Sequence, residues 1–401
     1  MIAESRRTRA HVDIPLLAMV FGMSLFGIVA VCVATYTSSS SSDASFLQHV
    51  VESSYTVRQC VFVALAPVVV TVLMNIPYHT LKRLTNLAYY LGLFLVIVVL
   101  FASRASGVKA WLDVLWGYTL QPSEFVKLSL ILMLAKYLSR SDKPMGSFRD
   151  FVLIMAMVGI PGGIVLLSGE MGSLLVIIVM FAVMLWFANV DIRILLGLAL
   201  AGVLLIAGVY GYLVATNSDS YRLNRILAFL NPEMYSSTDA YQMRQSQMTI
   251  GSGGLNGIGM FVDGSMSQLN YVPADWTDFI YATIGEAWGF KGCIIILVVY
   301  LMILFRLLYL QMYTRDKYGR LVIAGVLGML LFHVFENIGM TLGLMPITGI
   351  PLPFLSYGGS NMMTNMGGIG LAMNVTKHRS LANAVITPQR DRNIYIFSRR
   401  R

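Results

Sequence analysis

Two carboxylates stand close together in the stretch Tyr271–Phe290, where a polar loop becomes an apolar helix. Asp278 lies where the helix begins, so we expect it at the boundary between water and hydrocarbon. Glu286 follows eight residues later, inside the apolar run. A carboxylate there is costly unless it is paired or faces a wet cavity, and it is therefore a candidate functional group. A loop carboxylate over a bilayer, with polar groups below it, suggests chemistry on a substrate that a lipid carries.

Each of these acids also has a structural interpretation. An aspartate in a loop, such as Asp278, is usually solvated and carries no chemistry. Glu286 could simply pair with Lys127 or Lys291, which would neutralise its charge. Asp275, three residues before Asp278, lies near the same boundary. The spacing alone leaves both a catalytic and a structural role open for these residues.

The composition predicts a membrane protein built from helices. Of the 401 residues, 57% are hydrophobic and 12% are charged, and repeated apolar runs of about 18 residues or more indicate membrane spans. The runs are continuous rather than alternating, which indicates helices and not the strands of a barrel. The net charge of +9 comes from basic residues clustered in alternate loops, which is a topology signal and not a nucleic-acid surface. The three cysteines give neither a disulfide framework nor a metal spacing.

The apolar runs predict an all-α fold with about ten transmembrane helices in one domain that covers residues 1–401. The first run is predicted to be a span and not a signal peptide, because no small-residue cleavage site follows it closely. A large polar loop, about 216–277, separates spans seven and eight. The distribution of Lys and Arg places both termini, including a tail of about 377–401, in the cytoplasm and the large loop outside. The predicted spans are 14–36, 57–76, 84–103, 123–138, 151–167, 172–188, 194–215, 279–309, 321–344 and 361–375.

Several polar residues in and beside the spans could serve an active site. Glu124 and Lys127 are spaced i,i+3 in span four, so they share a helix face and can neutralise one another, either as a structural pair or in a cavity. His333 and Glu336 share a face of span nine at the same spacing. They could relay protons, or they could only form interhelical hydrogen bonds. Trp111 is typical of an anchor at the membrane interface.

The large loop carries groups that suit an anion. Arg222 and Arg225 are exterior cations close together, and a planar guanidinium group can donate two hydrogen bonds to a phosphate at once. The glycine-rich run GSGGLNGIG could present backbone amides to an anion, or it could only need glycine in order to turn. No HExxH, P-loop, GxSxG or Cys–His metal pattern occurs. This argues against a metalloprotease, an ATP-driven pump and a serine hydrolase.

Four stretches resemble the SEDS family (shape, elongation, division and sporulation), whose members include RodA, FtsW and SpoVE. They read GVKAW with LQPSEFVK, YQMRQSQMTIGSGGLNGIG, TDFIYATIGEAWGFKG and MPITGIPLPFLSYGGS. Together with about ten spans, these motifs extend the resemblance over nearly the whole chain. The short tails are more similar to RodA or SpoVE than to FtsW.

The resemblance implies a peptidoglycan glycosyltransferase of the bacterial cytoplasmic membrane that polymerises lipid II during elongation, division or sporulation. It also implies a class B penicillin-binding protein as partner, and Asp278 of the TDF motif as the essential acid. As a general base, Asp278 would take the proton of a sugar hydroxyl that attacks the anomeric carbon with inversion. Arginines or a divalent cation, Mg²⁺ or Mn²⁺, could stabilise the leaving pyrophosphate. Family motifs and exterior cations together give the predicted substrate-binding residues: Lys109, Trp111, Glu124, Lys127, Arg222, Arg225, Arg244, Gln245, Ser246, Ser356 and Ser360.

The chain departs from the family pattern at two places. The family usually has Pro-Glu before TDF, whereas here Pro273 is followed by Ala274, and Asp275 could compensate. Between spans five and six the family commonly has QPDLGT, where this chain has SGEMGS with Glu170 and Met171. The second departure leaves the role of that turn open.

Two other functions fit the same residues. Polar groups buried in spans four, eight and nine would suit a transporter that flips the lipid-linked precursor. A scaffold without turnover would recruit its partner through lipid-facing helices and would tolerate polar substitutions at Asp278 and Lys127 together. An outward-facing essential carboxylate favours the enzyme, because a transporter has no particular need of one.

Overall fold

The computed structural model describes residues 12–36, 46–101, 110–113, 119–215, 229 and 238–392. This part of the chain contains twelve helices and one short hairpin. Ten of the helices have 17 residues or more and match the ten predicted spans in place and order, so the all-α prediction is confirmed. The helices are α1 (Ile14–Ala34), α2 (Phe46–Glu52), α3 (Ser54–Asn75), α4 (Tyr78–Leu100), α5 (Pro122–Leu138), α6 (Phe148–Ser168), α7 (Met171–Phe187), α8 (Ile192–Ala215), α9 (Thr238–Ser252), α10 (Ile280–Tyr313), α11 (Lys317–Thr341) and α12 (Gly359–Arg392), and the hairpin pairs β1 (Leu112–Asp113) with β2 (Thr119–Leu120).

Carboxylates cap the first turns of two of the long helices. At the start of α1, Asp13 Oδ1 accepts a hydrogen bond from the amide of Leu16 at 3.0 Å. At the start of α11, Asp316 Oδ2 accepts one from the amide of Gly319 at 2.7 Å. The first amides of a helix have no partner within it, so these side chains stabilise both helix starts.

Two helix boundaries differ from the prediction by more than a few residues. Helix α4 begins at Tyr78, six residues before the predicted Leu84, because Pro77 at the N-cap holds φ at −55° and favours an early start. Helix α12 continues to Arg392, well past the predicted end at Val375 and through most of the predicted tail. A polar continuation of a helix has no apolar run to reveal it, so the sequence pattern misses it.

Polar helix α9 is the main element that the sequence did not indicate, since it lies in the predicted large loop. It is anchored to the end of α11. The hydroxyl of Ser246, which is fully buried, donates to the carbonyl of Thr341 at 2.8 Å. Gln247 Nε2 donates to the carbonyl of Leu342 at 2.9 Å. The large loop is therefore partly ordered against the helix bundle.

The helices of the bundle differ in how far they are buried inside the protein. By length and composition, α1, α3, α4, α6, α10 and α11 could each cross a membrane, while α7 and residues Ile192–Leu204 of α8 are shorter apolar helices. Helix α5 has only 17 residues and α12 is rich in polar side chains, so neither is among these helices, yet most of their described side chains are buried against α3, α4 and α11. Polar residues are tolerated at that depth because these two helices face protein.

Helix α10 is broken near its start, and the break separates two environments. Gly289 has φ +66° and ψ −165°, which no α-helical residue adopts. Every residue from Ile280 to Ala287 is buried, whereas Phe290 is 59% exposed and exposed apolar side chains recur from there to Tyr313. Residues 290–313 alone extend about 36 Å, enough to cross a hydrocarbon core of about 30 Å. Glu286 therefore lies before the lipid-facing part of α10, enclosed by protein.

The two ends of the bundle carry different functional groups. At one end, which we call the inner face, Asp13 at the start of α1 forms an ion pair with Arg306 near the end of α10, at 2.9 Å. Asp278 precedes α10 and thus lies at the opposite end, which we call the site face.

Candidate functional site

Asp278 belongs to a tight turn, Ala274–Phe279, which we call the acidic turn. The carbonyl of Ala274 accepts from the amides of Thr277 at 3.1 Å and Asp278 at 3.2 Å, and from the Thr277 hydroxyl at 3.0 Å. Ala274 has φ +59°, a left-handed conformation that is uncommon for a residue other than glycine. The side chain of Asp278 is half-buried. The turn therefore has a fixed backbone and leaves Asp278 partly accessible at the site face.

Donors from two other segments hold the outer side of the acidic turn. The carbonyl of Trp276 accepts from the amide of Tyr357 at 2.9 Å, and that of Thr277 accepts from the hydroxyl of Ser356 at 2.6 Å. The carbonyl of Asp278 accepts from Asn337 Nδ2 at 2.7 Å. Three successive carbonyls are thus fixed, each bond contributing about 0.5–1.5 kcal/mol.

Asn337 links the acidic turn to the proline-rich segment that follows α11. Its Nδ2 group also donates to the carbonyl of Ile350 at 2.7 Å, and the residue is fully buried. In the same segment, Gly349 has φ +73°, and a Cβ atom placed there would lie 3.4 Å from Asp278 Oδ2. The proline-rich segment therefore passes directly beside the carboxylate of Asp278.

The segment from Met345 to Gly358 is itself held rigidly. The hydroxyl of Ser356 accepts from the amide of Leu352 at 2.8 Å while it donates to the acidic turn. Tyr300 of α10 donates its hydroxyl proton to the carbonyl of Pro353. Ser356, predicted to bind substrate, is fully buried and uses its hydroxyl for these internal contacts. Its contact with substrate stays a prediction.

Glu286 is held by the protein through its carboxylate. It is 3% exposed and accepts from the amides of Met266 at 2.7 Å and Ser267 at 3.0 Å, and from the Ser267 hydroxyl at 2.6 Å. The predicted pairing with Lys127 or Lys291 is wrong, because Lys291 donates to Asn256 Oδ1 at 2.7 Å and Lys127 has other partners. Loop amides supply the compensation that a buried carboxylate needs.

Asp275 is buried inside the protein. It is 1% exposed, and the Thr283 hydroxyl lies 3.5 Å from its Oδ2 atom. Burial raises the pKa of the Asp275 carboxyl well above its usual range, and the nearby charge of Glu286 adds to the rise. Asp275 is therefore a buried acid. It does not present a carboxylate at the surface, as would be needed to replace the glutamate that the family usually has at the position of Ala274.

The glycine-rich run closes the break in α10. The amides of Ile258 and Gly259 donate to the carbonyls of Glu286 at 2.9 Å and Ala287 at 3.1 Å. A Cβ atom at Gly257, whose φ is +83°, would lie 2.2 Å from the Ala287 carbonyl oxygen. Only glycine allows this approach. Of the two interpretations of the run, the structure supports the structural one, since these amides bind helix carbonyls.

Glu124, Lys127 and His333 form a buried chain between α5 and α11. Lys127 Nζ lies 2.6 Å from Glu124 Oε1, so the predicted i,i+3 pair is present. It also donates to His333 Nε2 at 3.0 Å, and His333 Nδ1 donates to the carbonyl of Met329 at 2.8 Å. The carbonyl at Nδ1 requires a proton on that atom, and the Lys127 ammonium group at Nε2 requires an acceptor, so the two bonds together assign the neutral ring with its proton on Nδ1. On the next turn, Glu336 Oε1 accepts from the Thr348 hydroxyl at 2.9 Å.

Glu170, which stands in the departing SGEMGS turn, joins three segments. Its Oε2 atom accepts from Gln121 Nε2 at 2.6 Å and from the hydroxyls of Ser123 at 2.5 Å and Ser173 at 2.9 Å. Burial raises the pKa of Glu170, and these three donors oppose the rise. The hydroxyl of Ser360 accepts from the Gln121 amide at 3.0 Å. The turn thus fixes the start of α5. Although SGEMGS differs from the QPDLGT of the family pattern, Glu170 retains an acidic side chain in this turn.

The remaining predicted residues are spread over the site face. Trp111 is 47% exposed beside the hairpin, Arg244 is exposed on α9 and Gln245 is half-buried. Lys109, Arg222 and Arg225 lie outside the described residues. Asn337 belongs to the candidate site, although the sequence analysis did not single it out. Its role depends on partners 59 and 13 residues away, which no local pattern reveals.

The chain is similar to known proteins over most of its length. A family model described as "Cell cycle protein", for FtsW, RodA and SpoVE, matches residues 15–381. Stage V sporulation protein E of Bacillus subtilis is 33% identical over 325 residues, which are 80% of this chain and 86% of that protein. Peptidoglycan glycosyltransferase MrdB of Escherichia coli is 31% identical over 320 residues, 80% of this chain and 85% of that protein.

Two solved structures are similar over most of the chain. One, described as "Structural coordination of polymerization and crosslinking by a peptidoglycan synthase complex", gives a TM-score of 0.74 at 29% identity and covers 92% of this chain and 98% of that chain. The rod shape determining protein RodA of Thermus thermophilus gives a TM-score of 0.66 at 26% identity, covering 92% and 97%.

Proposed function

The chain belongs to the cell cycle protein family of FtsW, RodA and SpoVE, and we propose that the acidic turn is where this peptidoglycan glycosyltransferase activates its acceptor. Family membership supports the activity, since relatives are named peptidoglycan glycosyltransferases. The observation that carries the mechanism is the backbone of Asp278, which is fixed by Asn337 while its side chain stays half-exposed. The substrate we propose is lipid II, a disaccharide held on a lipid by pyrophosphate.

The proposed reaction is a single inverting transfer. A sugar hydroxyl of the acceptor attacks the anomeric carbon of the donor, and its proton passes to the carboxylate of Asp278. The new carbon–oxygen bond forms as the bond from that carbon to the pyrophosphate breaks, and the electron pair leaves with the pyrophosphate. General base catalysis of this kind typically contributes about 10²–10⁴-fold to the rate.

Asn337 acts as a positioning residue in this proposal. Its amide group binds the carbonyl of Asp278 and the carbonyl of Ile350 together. The turn and the segment beside the carboxylate therefore keep one relative position. A displacement of about 1 Å can cost about 10²-fold in rate, so fixing the base before substrate arrives is a direct contribution to catalysis.

The leaving pyrophosphate needs positive charge rather than a proton. We assign this role to Arg244, which is exposed on α9, together with Arg222 and Arg225 of the predicted large loop. Substrate contacts of Lys109 and Trp111 remain part of the proposal. So do those of Glu124, Lys127, Gln245, Ser246, Ser356 and Ser360.

The described residues contain no group of three or more His, Cys, Asp or Glu side chains that could hold a metal ion. The divalent cation of the sequence prediction, Mg²⁺ or Mn²⁺, therefore stays a proposal for a cation that the pyrophosphate brings with it. No step of the proposed reaction is routed through it.

The proposed setting is a multi-pass position in the bacterial cytoplasmic membrane, with both termini inside. The apolar helices support the membrane position, and the loop charges support the orientation. A class B penicillin-binding protein is the proposed partner. The similarity to a chain from a peptidoglycan synthase complex supports an assembly of polymerising and crosslinking proteins.

The test is polymerisation of labelled lipid II by the purified full-length protein, with and without the partner. We expect Asp278→Asn to abolish glycan chains at unchanged protein level, because an amide cannot accept the proton. Asp263→Asn is the matched control, since Asp263 is an exposed loop acid of the site face, and it should leave polymer yield intact. Full activity of Asp278→Asn would remove Asp278 as base. Movement of labelled lipid across vesicles without polymer would support the transporter instead.

A further inference from the structure

A group of cations at the inner face has no part in the reaction proposed above. Lys136, in the last turn of α5, is half-buried and donates to Asn86 Oδ1 of α4 at 2.8 Å. Lys82 lies four residues before Asn86 on α4, and Arg140 lies four residues after Lys136. Lys82 and Asn86 share a face of α4, and Arg140 follows just after the end of α5. Lys82 and Arg140 both lie close enough to Lys136 to repel its charge, so the four residues gather at the contact between α4 and α5. We call these four residues the basic seam.

The described residues offer the seam no carboxylate. None of its three cations forms an ion pair within the described part of the chain. Asp316, the N-cap residue of α11, accepts from the Tyr78 hydroxyl and the Gly319 amide, and Asp142 lies 3.5 Å from Lys317. Two of the seam cations instead lie against aromatic rings, of Tyr318 at 5.3 Å and Tyr137 at 4.0 Å.

An uncompensated group of like charges is unfavourable, and an anion would relieve it. Lys82 and Arg140 are exposed, so an anion can approach from solvent or from the membrane surface. The positive charge of a cytoplasmic boundary explains why basic residues lie at this face. It does not explain why Lys82 and Arg140 both lie close to Lys136, whose only described partner is the neutral Asn86.

An apolar stripe continues from the seam along α4. Tyr90, Phe94 and Ile97 follow Asn86 at steps of three and four residues, on the same side of the helix. They are 61%, 60% and 38% exposed. A ligand that satisfies both regions carries a negative group at one end and hydrocarbon at the other.

We propose that the basic seam binds the phosphate of an anionic phospholipid, whose acyl chain lies along Tyr90, Phe94 and Ile97. Basic sites between transmembrane helices on the cytoplasmic side suit such headgroups, and each Lys or Arg near an anionic surface contributes about fivefold to binding. Charge complementarity and the adjoining apolar stripe together select a lipid over a free anion. The bound lipid would brace α4 against α5, the helix that carries Glu124 and Lys127.

The test uses the purified full-length protein in nanodiscs and in lipid-depleted detergent. Phosphatidylglycerol and phosphatidylcholine are added in equal amounts, and the bound lipid is counted by native mass spectrometry. We expect wild type to retain phosphatidylglycerol preferentially. The triple variant Lys82→Gln, Lys136→Gln, Arg140→Gln should lose that preference by at least about tenfold, given three cations that contribute about fivefold each.

A matched control removes the same charge from the same face outside the seam, with Lys143→Gln, Arg149→Gln and Arg193→Gln. These three residues are exposed, and we expect the preference for phosphatidylglycerol to change by less than about twofold. Equal loss in both triple variants would overturn the proposal, because attraction to net charge would then suffice. Undiminished binding by the seam variant would overturn it as well.

Two further arms keep the result interpretable. If the triple variant does not fold, Lys136→Gln alone is measured, and a drop of about fivefold in the lipid preference is expected. Inorganic phosphate at the same concentration should not raise the melting temperature of lipid-depleted protein, whereas phosphatidylglycerol should. Equal protection by inorganic phosphate would contradict a lipid site and indicate a free-anion site.

Discussion

Asp278 and Glu286 lie eight residues apart in one stretch of chain, yet they differ in exposure and in the contacts that their surroundings make. At Glu286 the donors go to the carboxylate, from two amides and a hydroxyl of residues 266–267. At Asp278 a buried amide, that of Asn337, goes to the backbone carbonyl, while the side chain is half-exposed. A structural acid has its charge compensated inside the fold. An acid that must accept a proton from substrate has its backbone fixed and its side chain accessible.

The same difference separates the surroundings of the two acids. Glu286 lies before the break in α10, where the glycine-rich run approaches so closely that side chains are excluded. Asp278 lies beside Gly349 of the proline-rich segment, at the site face. The region around Glu286 packs the glycine-rich run against the break in α10. The region around Asp278 fixes the backbone next to one half-exposed side chain. Substitutions in the two regions should therefore affect different measurements.

The largest effect on stability is expected for Glu286→Gln. The substituted amide turns one acceptor into a donor that faces the amide and hydroxyl of Ser267. Hydrogen bonds to a charged group contribute about 1.5–3 kcal/mol each, so we expect the free energy of unfolding to fall by about 3 kcal/mol or more. Thermal unfolding in nanodiscs measures it, with Asp263→Asn as the exposed control. A melting temperature equal to that of wild type would contradict the structural role of Glu286.

The next largest effect is expected for Asn337→Ala, which tests how the backbone of Asp278 is positioned. Asn337→Ala removes both bonds that position the acidic turn, and we expect kcat to fall about 10–100-fold with KM changed less than about threefold. The matched control is Asn374→Ala, because Asn374 is also fully buried and donates to the carbonyls of Leu73 and Ile76 at 2.8 and 2.7 Å.

The two asparagine variants should lose comparable stability, but only Asn337→Ala should lose activity per folded molecule. Steady-state polymerisation, corrected for folded protein, separates the two effects. Equal losses of kcat in both variants would reduce Asn337 to a structural residue.

A smaller effect is expected for Ser356→Ala. The variant removes one of three donors to the acidic turn, while Asn337 and the Tyr357 amide remain. We expect kcat to fall about threefold to tenfold and stability to fall by about 1 kcal/mol. Ser24→Ala is the control, since Ser24 is fully buried and bonds only within α1 and to Met362. A larger rise in KM than fall in kcat would instead support the predicted substrate contact of Ser356.

The smallest effect is a dependence of stability on pH from Asp275. Its pKa is raised in the fold, so the folded state keeps a proton that the unfolded state releases. Stability is then greatest below the unfolded pKa of about 3.9 and falls as pH rises towards the folded pKa. Asp275→Asn should remove this slope and stabilise the protein at neutral pH. A slope that is unchanged in Asp275→Asn would assign the titration to another group.

The features that could be predicted from the sequence are those that depend on residues close together in the chain. Ten apolar or half-apolar runs gave ten long helices, because hydrophobic length decides a span. The pair Glu124–Lys127 followed from helical spacing alone. Helix α9 was not predicted, since a polar helix held by the end of α11 has no apolar run. The break at Gly289 was missed because a loop about 30 residues earlier replaces the hydrogen bonds of the helix.

The candidate site shows the same division. Asp278 was indicated by its motif, whereas the compensation of Glu286 by loop amides could not be predicted, since every residue type carries an amide. The sequence analysis offered two lysines as possible partners of Glu286, because an opposite charge can be recognised in a sequence and a backbone amide that the fold brings near cannot. The geometry that separates the two acids arises from contacts between distant segments.

The most direct test measures glycan polymer per folded molecule and melting temperature on the same preparations of wild type, Asp278→Asn and Glu286→Gln. For Asp278→Asn, we expect polymer formation to fall by about 10²–10⁴-fold while the melting temperature stays within about 1 °C of wild type. For Glu286→Gln, we expect the reverse, a lower melting temperature with polymer per folded molecule within about threefold. Polymerisation by folded Asp278→Asn at the wild-type rate would contradict the assignment of Asp278 as the general base.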